Sequence, residues 1–463
     1  MSAQARDLDY VLDRASDPEV FERWQQLARS AGWCEHPVRL SGTTRLFAPE
    51  TGEVLSTYST LDEPDGHLLK ACGTRRATVC EPCSAVYRSD AWHLIASGLR
   101  GGKGVPAEAA THPILFLTVT APSFGSVHSR RDGNGSDRRC HPRPSGRCRH
   151  GLPTHCFEVH LPGDEALGEP LCIDCFDYLR AVLWNAHATE LWRRTTITIQ
   201  RQLAKVLGAI SSELGDHARL SYAKVVEYQD RGLVHLHIVI RLDGPDGPAD
   251  PPPAALTLDR FETAVITACQ RAHLAYPETA GVSGDIRWGE QLDVRRVALD
   301  SISSGAVAAY ISKYATKSTD AFGRLDRRLR ESDLDRLNVR PHLERIVLTA
   351  WHLGGRPELM HLKLRNWAHT LGFRGHWLTK SRRYSTTFGD LRSARAAWSA
   401  TKRDQRSKEP ASSTVGEWSY LGRGWDNPGD EWLARTAAAA AAEARQLARQ
   451  ARRIERSAAG LGR

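Results

Sequence analysis

An α+β fold, with a central antiparallel β-sheet and helices packed on one face, is what this 463-residue sequence predicts. Three observations carry the expectation. Residues 113–317 read as strand, insertion, helix, strand, strand, helix, strand, helix. Two of the strands are joined by the tight turn QDRG (229–232), which makes them an antiparallel hairpin. The helices between the other strands are long enough to cover a sheet, and no internal repeat breaks the order.

The first strand is PILFLTVTAPS (113–123), rich in β-branched and aromatic residues, with Thr118 and Thr120 alternating with apolar neighbours. From Phe124 to about Asp177 the composition turns to Cys, His, Arg, Gly and Pro, too polar for a core, and reads as an insertion held by metal. A long helix is expected from about Val182 to Gly208. The hairpin strands RLSYAKVVEYQ (219–229) and LVHLHIVIRL (233–242) follow, then the loop DGPDGPADPPP. An amphipathic helix (about Leu256 to Leu274), a strand through DIRWGEQLDVRRV (285–297) and a helix from about Gly305 complete the domain.

Four regions result: a zinc-binding N-terminal region (1–105), a central domain (106–325) with its insertion at about 126–177, a basic aromatic region (326–400) and a basic alanine-rich helical tail (401–463). Within the third, Leu364 to Gly389 interleaves arginines with aromatics, a composition suited to phosphate contacts and base stacking.

The net charge of +9 is carried mostly by arginine, which favours a phosphate-bearing partner. No apolar run approaches the ~18 residues of a membrane span, and the first residues lack the apolar core of a signal peptide, so a cytoplasmic protein without a membrane partner is expected. In a reducing cytosol, clustered cysteines read first as metal ligands.

On a strand, alternate side chains share a face, so His235 and His237 project together. A hairpin turning about Arg231 sets Glu227 opposite His235 on that face. The three donors suit Mg²⁺ or Mn²⁺ and leave positions open for a phosphate oxygen. Downstream, Tyr310, Lys313, Tyr314 and Lys317 fall within about 100° of one another on a helix, at about 0°, −60°, +40° and −20°. The lysines can support a tyrosine nucleophile and neutralise charge developing on a phosphate.

Among the ten cysteines, Cys72, Cys80 and Cys83 supply three ligands of a closed zinc site, with Cys34 as the fourth and His36 and His93 as competing donors. In the insertion, Cys172-x2-Cys175 is completed by Cys148 and Cys156, with Cys140 and His150 as alternatives. Both zinc ions are structural, because closed thiolate sites leave nothing open for substrate. Cys269, alone on the amphipathic helix, reads as core.

FLTVT (116–120), HLHIVI (235–240) and VAAYISKYATK (307–317) together resemble the HUH endonucleases, and the paired tyrosines their two-tyrosine rolling-circle initiators. More closely, CGTRRATVCEPC (72–83), TVTAPSFG (118–125), PLCIDCFDY (170–178) and LGFRGHWLTKSRRYSTT (371–387) resemble the RepSA-type initiators of actinobacterial plasmids and integrative elements. The resemblance implies a five-stranded HUH palm, a Mg²⁺- or Mn²⁺-dependent nick at a double-strand origin, a covalent 5′-phosphotyrosine, and strand transfer and ligation. Glu227 is its least constant element, since the third ligand varies across the superfamily. Tyr310 occupies the position used where only one tyrosine is present.

Two other readings compete. Conjugative relaxases and single-strand transposases share the chemistry, but relaxases commonly carry the tyrosine near the N-terminus and a third metal histidine, and this chain has neither. A zinc-containing DNA-binding regulator would keep the residues without the reaction. The expected partners are origin DNA, duplex and single-stranded, with host polymerase and, since no GxxxxGK[ST] loop is present, host helicase.

Overall fold

A computed structural model describes the chain apart from residues 1–2, 49, 132–137, 144–145, 298–300, 317–324, 326, 405–412 and 461–463. In chain order the elements begin α1 (Ala3–Ser16), α2 (Pro18–Ser30), β1 (Val38–Phe47), β2 (Val54–Ser59), β3 (Leu68–Lys70) and α3 (Glu81–Arg100). Then come β4 (Ile114–Val119), α4 (Tyr178–Leu207), β5 (Arg219–Tyr228), β6 (Val234–Asp243), α5 (Leu258–Arg271), β7 (His273–Ala275), β8 (Asp285–Arg287), β9 (Leu292–Arg296) and α6 (Ser301–Thr316). The chain continues with α7 (Pro341–Leu353), α8 (Leu364–Trp367), β10 (Leu378–Lys380), α9 (Phe388–Asp404), β11 (Ser413–Arg423) and α10 (Pro428–Gly460). No helix among the described residues is long and apolar enough to cross a membrane.

These elements form two compact units, Met1–Asp90 with Gly389–Arg463, and Ala91–Phe388. In the first unit, β1 pairs along its whole length with β11 and also receives β2 and β3, all antiparallel. Arg14 of α1 holds Asp430 of α10 in a two-pronged contact at 3.0 and 2.7 Å. A sheet in this region was not expected from the sequence. Its long strands, VRLSGTTRLF and STVGEWSYLGR, mix polar and apolar residues on both faces and lie far apart in the chain.

The second unit is built on a five-stranded sheet in the order β10-β5-β6-β4-β9 whose pairings are all antiparallel. Because β6 is central, it is buried along nearly its whole length. Leu115, Leu117, Leu236, Ile238 and Ile240 pack with α4, α5 and α7 on one face. The Asp177 side chain caps α4 by accepting from the Arg180 amide, and Gly208, at φ +69°, ends it.

Helices cover the second face as well, where the sequence led us to expect one covered face only. On that face α6 stacks on His237, and the end of α3 receives Arg241 through the Gly98 carbonyl. The expected strand over 285–297 is two: β8 pairs with β7, and β9 with β4. Gly289 divides them where the backbone donates to the Thr120 carbonyl at 2.8 Å, and a Cβ there would sit 2.6 Å from the Ala121 oxygen.

Residues 341–388 belong to this unit's core. Strand β10 adds the sheet's fifth strand, and Phe373 and Tyr384 are fully buried, the Tyr384 hydroxyl donating to the Ile95 carbonyl at 3.1 Å. Trp377 packs edge-on to Tyr228 and tilted against Phe373. Phe373 and Tyr384, two of the aromatics read as base-stacking surface, are consumed by packing.

Candidate functional site

The hairpin of β5 and β6 turns through Gln229–Gly232: the Gly232 amide donates to the Gln229 carbonyl, and the Gln229 amide to the Leu233 carbonyl, each at 2.9 Å. Gly232 has φ +73°, and an added Cβ would press on Ile346 at 2.6 Å. Three elements clamp this turn. Asn185 of α4, fully buried, donates to the carbonyls of Gly232 (3.0 Å) and Leu371 (2.9 Å) and accepts from the Val234 amide (3.1 Å). From α7, His342 donates through Nε2 to the Arg231 carbonyl at 3.1 Å while its Nδ1 accepts from the Tyr178 hydroxyl at 3.0 Å. Burial pushes His342 down to about 4, so the neutral ring makes both bonds. The Arg231 guanidinium donates to the Ala121 and Pro122 carbonyls, just beyond β4.

The clamped turn sets Glu227 opposite His235, the register the sequence predicts. Glu227 Oε2 lies 2.9 Å from His235 Nε2 and 3.3 Å from His237 Nε2. His237 Nδ1 lies 3.1 Å from the hydroxyl of Thr118, its neighbour on β4. With Nδ1 on that hydroxyl, Nε2 points at Glu227, and a metal ion held between the two would take the place of their hydrogen bond. Burial pushes His237 below the ordinary histidine range, outweighing the Glu227 hydrogen bond that raises it. It is therefore neutral, the form that binds metals. An octahedral ion with arms near 2.1 Å has edges of about 3.0 Å, so the spacing and the donor set fit a small hard cation.

Helix α6 lies over these residues. The Tyr310 ring centroid is 5.4 Å from that of His237, and Tyr314 stacks on the same imidazole at 4.8 Å. The two tyrosine rings meet edge to face at 4.8 Å. Tyr310 is 44% exposed and opens onto a cleft of about 610 Å³ bordered by Phe116, Thr118, Arg295 and Arg296. Tyr314 is more enclosed: burial first, then Tyr310 and the charge of Glu227, push its hydroxyl above the ordinary range. Lys313 Nζ lies 6.0 Å from the Tyr314 ring, and Lys317 falls outside the described residues.

Three groups of cysteines and histidines converge. Cys34, Cys72, Cys80 and Cys83 form one. Its Cys34–Cys80 and Cys34–Cys83 sulfur separations are 3.8 and 3.6 Å, against about 3.8 Å for the edge of a tetrahedron with 2.3 Å zinc–sulfur arms. Amides of Cys72 and Glu35 donate to sulfurs of this group. His36 and His93 are not part of it.

In the insertion, Cys148, Cys172 and Cys175 converge with His150, whose Nδ1 is 3.4 and 3.3 Å from the last two sulfurs. Cys156, which the sequence suggested as the fourth donor, is not among them. It lies with His128, Cys140 and His160. The short C-x-H spacing of Cys148 and His150 puts both on one tight turn, where the Gly151 amide donates to the Cys148 carbonyl at 2.9 Å. Cys269 is buried on α5, as expected.

Sequence reasoning missed Asn185, His342 and the contact of Thr118 with His237. Only Thr118 left a signal, as a polar residue alternating along an otherwise apolar strand.

These features belong to a class of proteins that start DNA replication: the chain is a member of the RepSA family, whose model, described as "Replication initiator protein, pSAM2", matches residues 20–439. It is also 40% identical over 466 residues to a replication initiator protein of Streptomyces ambofaciens, covering 97% of each chain. No solved structure matches.

Proposed function

We propose that this initiator nicks one strand of its origin as an HUH endonuclease, its five-stranded sheet serving as the palm. The observation that carries the reading is the packing of two tyrosines directly against His237 of the Glu227–His235–His237 set, Tyr314 stacked on the imidazole and Tyr310 edge-on to it. A Mg²⁺ or Mn²⁺ ion held by those three residues supplies polarisation of the scissile phosphate.

The Tyr310 oxygen attacks phosphorus and the bond to the 3′ oxygen breaks, leaving a 5′-phosphotyrosine and a 3′-hydroxyl that takes up the proton and primes host synthesis. After one round, Tyr314 attacks the regenerated junction, the bond to the 3′ oxygen breaks, and the freed 3′-hydroxyl of the displaced strand attacks the Tyr310 phosphotyrosine, which ligates that strand and releases Tyr310 with a proton. The greater exposure of Tyr310 and its place at the cleft favour it for the first step. Lys313 and Lys317 offset charge near the phosphate, and Arg295 and Arg296 line the path of the flanking strand. The thiolate-rich groups of Cys34, Cys72, Cys80 and Cys83, and of Cys148, His150, Cys172 and Cys175, hold structural Zn²⁺. Host helicase and polymerase supply unwinding and synthesis.

With Mn²⁺, supercoiled DNA carrying the origin of the element that encodes the chain is expected to become open-circular with protein covalently attached, and chelation to abolish this. Open circles without attached protein would overturn the reading. Thr118→Val removes the acceptor that orients His237 and is expected to weaken Mn²⁺ binding about 10–100-fold without unfolding the sheet. Titration calorimetry on the apo-protein reads that change.

A further inference from the structure

In the middle of the insertion between β4 and α4 the apolar side chains are not buried: Phe157, Val159 and Leu161 are all exposed, and the buried Phe124 and Phe176 lie at its two ends. Among the described residues its strand pairings are isolated bridges, such as that of His141 with Cys156, and hydrophobic burial does not explain the order of its middle. We propose that His128, Cys140, Cys156 and His160 bind a zinc ion of their own, separate from the ion of Cys148, His150, Cys172 and Cys175, so that the insertion holds two.

The four donor atoms lie within 4.8 Å of one another, and Cys140, Cys156 and His160 are buried. His128 Nδ1 and His160 Nε2 are 3.1 Å apart, and Cys156 Sγ is 3.7 Å from the same Nε2. Tetrahedral zinc with arms of about 2.0–2.1 Å to nitrogen and 2.3 Å to sulfur needs edges of about 3.3 and 3.5 Å.

The outer contacts are those of a metal site. Asp164 Oδ2 accepts from His160 Nδ1–H at 2.6 Å, which leaves Nε2 unprotonated and aimed at the group. The Ser129 amide donates to Cys140 Sγ at 3.2 Å, as a thiolate requires. His141 Nδ1 also approaches Cys140, at 3.0 Å, but lies outside the converging set and acts as a hydrogen-bond partner.

This site braces the insertion against the catalytic hairpin. Asp164 opens the turn that leads to Gly168, at φ +85°, where a Cβ would fall 2.2 Å from the Asp230 carbonyl carbon. Arg340 spans the junction, donating to the carbonyls of Leu167 at 2.6 Å and Asp230 at 2.8 Å. An ion on His160 therefore fixes the segment that presses on the β5–β6 turn.

Zinc content of the full chain by plasma mass spectrometry tests this. His235→Ala and His237→Ala are included throughout so that the palm takes up none. The three cysteine-containing groups predict three zinc per chain. Adding Cys140→Ser with Cys156→Ser should leave two, as should Cys148→Ser with Cys175→Ser, while His141→Ala should keep three. Two zinc in the starting chain, or three in the Cys140→Ser/Cys156→Ser chain, overturns the proposal.

Should a cysteine variant fail to fold, Asp164→Asn provides the second measurement. It should make one of three equivalents about 10–100-fold easier to remove by a chelator. Unchanged retention of all three would count against the site.

Discussion

Tyr310→Phe is expected to slow first-strand cleavage by on the order of 10⁴-fold or more, the scale of losing a nucleophile, while leaving DNA binding and folding unchanged. The substitution removes one oxygen. The ring keeps its edge contacts with Phe116 at 5.8 Å and Tyr314 at 4.8 Å, so α6 stays seated. Tyr314 is a poor substitute in this step, because its ring is stacked on His237 and burial, Tyr310 and Glu227 all hold its proton on. Tyr314→Phe should cleave the first strand normally and fail at strand transfer. Cleavage of an end-labelled single-stranded origin oligonucleotide separates the two steps. Normal multi-round transfer by both variants would make the two-tyrosine mechanism wrong, and the reverse assignment of defects would reverse their order.

Asp243→Ala is expected to destabilise the Ala91–Phe388 unit by about 3–5 kcal/mol, the range for breaking a buried charge pair on one side. Asp243 and Arg241 both sit fully buried near the end of β6 and are joined at 2.6 and 3.0 Å. Asp243 also accepts from His112 at 2.7 Å and from Ser221 at 2.6 Å, while Arg241 donates to the Gly98 and Tyr384 carbonyls. Removing the carboxylate leaves the guanidinium charged, dehydrated and half-satisfied.

Burial by itself raises the Asp243 pKa, but the hydrogen bonds from His112, Arg241 and Ser221 outweigh it and hold the carboxyl below its ordinary value. The network's stabilisation is therefore present above the unfolded carboxylate pKa and is lost as pH falls through the lower folded one. Urea denaturation should show a stability difference between wild type and Asp243→Ala that is largest near neutrality and shrinks in acid. A loss below about 1 kcal/mol at neutral pH, the level of an exposed pair, would contradict it.

The hairpin and tyrosine helix were legible because their signals are local. Strand alternation fixes which of residues 235–238 share a face, a four-residue turn fixes the register of Glu227, and the helical repeat groups Tyr310 with Tyr314. What holds them was not. Asn185 and His342 are each one of several polar residues on their helices, and nothing in sequence shows that their partners are turn carbonyls more than forty residues away. Arginine-aromatic interleaving at 364–389 looks the same whether the rings face DNA or, like Phe373 and Tyr384, fill a core. Cysteine spacing pointed to metal-ligating groups in the insertion, yet the division of the donors depends on His128 and His160, which only the fold brings to Cys140 and Cys156.

The central claim is that α6 supplies the residue that joins covalently to DNA. Trypsin cuts after Lys313, so Tyr310 and Tyr314 fall in different peptides. After reaction with origin DNA and Mn²⁺ and digestion of the nucleic acid, mass spectrometry should find a 5′-nucleotide on the peptide ending at Lys313, attached at Tyr310. A nucleotide on any residue outside α6, or none under conditions that open the supercoiled substrate, would contradict the account.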